Sequence, residues 1–126
     1  MIQEAFVSFE IAKLLKEKGF DENTLMVYMS YGDLCKCNRY DSIRNSNYND
    51  ITKNYFECTA PTHQMAMKWL REVHGLFIMV DCGVGSYVWS IADMSNGNVI
   101  LKIDAIVGSY EQAVESAIKY CLEKII

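Results

Sequence analysis

Arg39, Tyr40, Arg44, Tyr48, Lys53 and Tyr55 crowd into one stretch, Cys35 to Cys58, that also holds five asparagines. Their chemistry is that of recognition. Guanidinium groups offer a planar fork to carboxylate or phosphate, asparagine both donates and accepts, and tyrosine supplies flat, rigid contact area. Between Lys36 and Tyr55 four positive charges stand against two negative ones, a local +2 in a chain of net charge −4. The remainder therefore sums to −6. A local excess of this sign favours an anionic ligand, such as a nucleotide. The same composition also fits a protein-binding surface or a solvated loop of polar filler. Ile51 is its one large aliphatic once Ile43 is set aside as an isolated neighbour of Arg44. His63, just downstream, is a further candidate ligand contact, against the alternative of an exposed histidine with no task.

Other residues of chemical interest are weaker. Cys35, Cys37, Cys58 and His63 are the right atom types for tetrahedral zinc. The usual chelating knuckle is Cys-x-x-Cys, however, and in an extended segment Cys35 and Cys37 point to opposite faces. They are read as free thiols, and no metal is expected. His63 and His74 lie on one helix eleven residues apart, which places them about 16 Å apart along its axis, too far to share an ion. His74 suits the helix C-terminus, where positive charge complements the dipole. Gly83-x-Gly85 starts like a phosphate-binding fingerprint, but a strand-like run follows it instead of a helix, so it reads as a hairpin loop. Asp81, Asp93 and Asp104 fall near strand ends, where carboxylates could pair for acid–base work or simply be solvated. The nucleophile elbow, the P-loop and His-Glu-x-x-His are absent from the sequence, and no cofactor is expected.

The elements that must position these residues are legible from periodicity. Ser8 caps a helix whose stripe is Ile11, Ala12, Leu14 and Leu15, stopped by Gly19. Leu25 to Tyr31 alternates as a strand that is apolar on both faces. Strands are expected near Cys35 or near Tyr55 to Cys58. Pro61 opens a helix over 62–74, with Met65, Ala66, Trp69, Leu70 and Val73 on its apolar side and Gly75 at its end. Strands follow at 76–81, 87–93 and 99–106, the last two joined through Asn96-Gly97, a strong hairpin signal. Ser109 and Gln112 form a capping box for a closing helix lined by Ala113, Val114, Ala117, Ile118, Cys121, Leu122 and Ile125. Short connections force the consecutive strands antiparallel. The expected architecture is a single α+β domain over 1–126: two layers, with a four- or five-stranded, mainly antiparallel sheet covered by three helices.

Composition narrows the classes. The chain has 126 residues, 51% apolar and 22% charged, which is globular composition. Its longest apolar run, Leu76 to Val80, is far too short to span a bilayer. No leader-like segment opens it, and five cysteines at irregular spacing read as reduced thiols, so a cytoplasmic location is expected. The acidic balance disfavours non-specific nucleic-acid binding. Apolar residues on both faces of 25–31 and at Ile125-Ile126 favour a homo-oligomer.

Three segments, VSFEIAKLLKEKGFDE, PTHQMAMKWLREVHGLFI and SYEQAVESAIKYCLEKII, resemble a group of small proteins carried by phages and prophages of gut bacteria. The resemblance implies the helix, loop, helix, meander, helix order with a polar middle, and it brings no catalytic residues with it. It supports a mobile-element origin and supplies no activity of its own. From the polar stretch and that context, the expected function is a non-catalytic binding protein that counters host defence by sequestering an anionic or nucleotide ligand. A protein–protein inhibitor of a host factor is the alternative, and a small carboxylate-dependent hydrolase a second one.

Overall fold

Ser8 does what its position predicts. Its side chain accepts the Ile11 N–H and starts helix α1, Phe9–Glu17, which buries Ile11, Ala12 and Leu15. In this computed structural model, which describes residues 2–36, 43–46 and 56–126, the chain divides into two compact units, 6–62 and 63–126 with 1–5.

In the unit 6–62, strand β1 (Met26–Met29) lies between β2 (Leu34–Lys36) and β3 (Phe56–Thr59), antiparallel to both. Val27 and Tyr28 are adjacent in sequence and both buried, so each face of this sheet is covered. The α1 side is held by Tyr28, whose ring lies 5.3 Å from Phe9 and whose hydroxyl donates to the Val7 carbonyl. The opposite side carries a cluster of Val27, Ile43 and Phe56, with Met29 and Cys35 against it. A register shift at Tyr28/Met29 pairs Cys58 with Tyr28 but Phe56 with Met29. That irregularity lets Phe56 and Cys58 face opposite sides despite their even spacing. Gly32 turns the β1–β2 hairpin at φ +93°, and a Cβ there would sit 3.3 Å from the Phe9 ring.

In the unit 63–126, α2 (His63–His74) buries Ala66, Met67, Trp69 and Leu70, and Gly75 ends it. Strands β4 (Leu76–Gly83), β5 (Ser86–Asp93) and β6 (Val99–Ile106) form an antiparallel meander in that order. A 3₁₀ turn at Met94–Asn96, capped by Asp93, lengthens the Asn96-Gly97 hairpin beyond two residues. Helix α3 (Tyr110–Tyr120) starts at the expected Ser109/Gln112 capping box and widens into a π turn, Cys121–Ile125. Its Tyr120 meets Trp89 at 5.9 Å and Lys102 at 5.4 Å. The α3 side of the meander is therefore the one bearing Val80, Trp89, Ile91, Lys102 and, by alternation, Asp104.

Among the described residues, three α-helices and two three-stranded antiparallel sheets make this an α+β protein. The expected single sheet of four or five strands is replaced, among the described residues, by two sheets of three. The reason is local: both partners of β1 come from the flanks of the segment whose polarity masked them.

Candidate functional site

The middle of the polar stretch is pinned to the sheet by a short anchor, residues 43–46. Thr24 and Ile43 exchange both backbone hydrogen bonds, at 2.7 and 2.8 Å. The Thr24 hydroxyl adds a bond to the Met26 carbonyl. Ile43 is only 5% exposed; far from being an isolated neighbour of Arg44, it belongs to the core, because burying one large aliphatic is what fixes an otherwise polar segment. Asn45, also buried, donates from its amide to the Phe20 carbonyl at 2.6 Å and accepts the Thr59 N–H at 2.9 Å. The Ser46 N–H donates to the Asp21 carboxylate. The bonds of Ile43, Asn45 and Ser46 thus tie the segment to the connection between α1 and β1 and to β3.

Between those two buried residues, Arg44 points outward. Its side chain is 54% exposed and its Nε lies 4.0 Å from Asp21 Oδ2. An exposed pair at that distance contributes little to stability, and among the described residues it is the one ion pair the guanidinium makes. Arg39, Tyr40, Tyr48, Lys53 and Tyr55 lie outside the described residues, as do Cys37 and Ile51.

His63 has a different position from the one expected. It is 5% exposed, and its Nε2 lies 2.8 Å from Glu115 Oε1 on α3. The first turn of α2 packs beside α3, so the imidazole joins two helices within the unit instead of facing solvent. A histidine–carboxylate pair is part of a catalytic triad only when a nucleophile bonds the other ring nitrogen. Among the described residues the His63 ring has Glu115 alone. His74, in the last turn with Arg71, sets its ring edge-on to Trp69 at 4.7 Å.

The thiols and carboxylates do not assemble. Cys35 pairs across from Val27 and Cys58 from Tyr28, which puts them on opposite faces of one sheet. Burial pushes the Cys58 thiol up to about 12, the protonated form that a metal ion must displace. No group of three or more His, Cys, Asp or Glu residues placed to hold a metal exists among the described residues. Asp81 pairs with Val88, and Asp104 with Trp89, so these two carboxylates lie on opposite faces of the meander. Asp93 caps the 3₁₀ turn with bonds to the Ser95 N–H and hydroxyl. The polar anchor, with Arg44 above it, is the arrangement best suited to a ligand.

Asn45 was the residue hidden in the sequence. Nothing in a run of five asparagines singles out the buried one, although Ile43 two residues earlier marks where the run must touch a core. Elsewhere on the meander, Phe77, Met79, Ala92, Met94, Asn98 and Ile100 line an open apolar hollow of about 270 Å³. No helix among the described residues is long and apolar enough to cross a membrane. The chain matches no protein-family model, no curated protein and no solved structure.

Proposed function

We propose that this chain is a non-catalytic binding protein that takes a small anionic ligand, of nucleotide type, on the polar stretch around Arg44. The observation that carries the reading is the anchor. Ile43 and Asn45 are buried and bonded while Arg44 between them is exposed, so a cation is held out from a fixed base. Rigid support under polar contact residues is how scaffolds present recognition segments. Arg39, Tyr40, Tyr48, Lys53 and Tyr55 flank the anchor in sequence and supply the remaining forks, rings and charge. In the cytoplasm of a phage-infected or prophage-bearing cell, to which the likeness of the three helical segments points, such binding would withdraw a signalling nucleotide from host defence.

A second reading, inhibition of a host protein by direct contact, draws on the apolar hollow beside β5, an exposed apolar surface of the kind that marks protein contacts. Native mass spectrometry of the protein purified from its own host lysate separates the two. The leading reading expects a co-purifying anionic molecule of a few hundred daltons (roughly nucleotide-sized ligands, in the range typical of such sites) that disappears in Arg39→Ala/Arg44→Ala. A stoichiometric host protein in place of the small molecule would overturn it in favour of the second.

A further inference from the structure

β6 carries apolar side chains at the rim of the meander. Val99, Ile100, Leu101 and Ile103 are 41–61% exposed, and among the described residues β6 pairs only with β5. An edge strand with unpaired peptide groups is a template for another strand, and proteins blunt such edges with charges, prolines, bulges or short strands. β6 skips Leu101 in its pairing with β5 and is regular over 102–106, where it carries two charges of opposite sign, Lys102 and Asp104, on either side of Ile103.

That spacing is self-complementary. When a strand pairs antiparallel with a copy of itself about residue i, residue i−1 lies opposite i+1. We infer that β6 pairs with β6 of a second copy of this chain, antiparallel and centred on Ile103, joining two meanders into one six-stranded sheet. Lys102 then faces the partner's Asp104, and the reciprocal pair forms as well. Both lie on the α3 side of the sheet, at the cross-strand spacing of about 5 Å where opposite charges attract. On the other side Ile103 meets the partner's Ile103.

The charges also select the register. Centring on Lys102 opposes lysine to lysine, and centring on Asp104 opposes aspartate to aspartate. Centring on Leu101 or Ala105 leaves both charges opposite uncharged residues. In the single chain the Asp104 carboxylate accepts the neighbouring Ala105 N–H at 2.8 Å; the pairing gives it a cation. The contact is isologous, so it closes at two copies. The anchor at 43–46 takes no part in it, so the dimer stands or falls independently of the proposed ligand.

Sedimentation velocity on the full chain tests this pairing through charge reversal. The wild type is expected as a dimer. Lys102→Asp and Asp104→Lys should each lose the dimer, since each places like charges opposite one another twice. The double variant Lys102→Asp/Asp104→Lys should restore it. Hydrogen exchange gives a second measurement on unmutated protein: β6 amides should exchange more slowly as concentration rises. A monomeric wild type, single variants that stay dimeric, a double variant that stays monomeric, or β6 exchange independent of concentration would each overturn the proposal.

Discussion

At the scale of single residues, the buried thiols behave as core groups. Cys58 and Cys121 are both fully buried, and desolvation pushes each thiol up to about 12, whereas Cys82 is exposed. A thiol reagent added to native protein should label Cys82 quickly and reach Cys58 and Cys121 only on unfolding, which peptide mapping reads directly. The sign of the pH effect follows. An unfolded thiol releases its proton near pH 8.5, while the folded ones hold theirs to about 12. The stability they contribute is thus complete below about pH 8.5 and is lost as pH rises toward 12. Denaturant midpoints measured upward from neutral pH should fall through that window, and the fall should shrink in Cys121→Ala. Cys35, Cys58, Cys82 and Cys121 are free thiols, as count and spacing suggested, while Cys37 lies outside the described residues. The burial of Cys58 and Cys121 was not legible, because a cysteine packs as a small hydrophobe and leaves no polar signature.

At the scale of elements, the regular parts followed from periodicity and caps. The Ser8 and Ser109 caps and the antiparallel meander all stand where spacing put them. The sheet of β2, β1 and β3 did not announce itself. Its strands have four residues or fewer, too short for alternation to show. β3 also contains the shift that sends Phe56 and Cys58 to different faces. His63 misled for a related reason: a polar residue in a first turn reads as exposed unless the neighbouring helix is known. The β1–β2 hairpin yields a specific expectation. Gly32→Ala meets both a positive φ and the Phe9 ring at 3.3 Å, whereas Gly19→Ala at φ +94° has open space around it. Each should lose about 1 kcal/mol to the backbone, and Gly32→Ala more than Gly19→Ala by chemical denaturation. Equal losses would mean that Phe9 moves aside freely.

At the scale of the whole molecule, the proposed function divides stability and recognition between neighbours in sequence. Ile43 and Asn45 are internal, while Arg44 is external. The polarity of 35–58 was visible in the sequence, and so was its excess of positive charge. The burial of Ile43 and Asn45 on either side of an exposed Arg44 was not, since the anchoring bonds reach Phe20, Asp21, Thr24 and Thr59, all distant along the chain. Asn45→Ala should cost about 2–4 kcal/mol, because two buried backbone groups, the Phe20 carbonyl and the Thr59 N–H, each lose a hydrogen bond. Arg44→Ala should cost less than about 1 kcal/mol, because it breaks one exposed pair. The most direct measurement puts both variants and Arg39→Ala/Arg44→Ala through thermal unfolding and calorimetric titration with a panel of nucleotides. The arginine variants should keep the wild-type melting temperature and lose binding, while Asn45→Ala should melt well below wild type. Arginine variants that unfold early, or that bind as tightly as wild type, would contradict the division between anchor and contact.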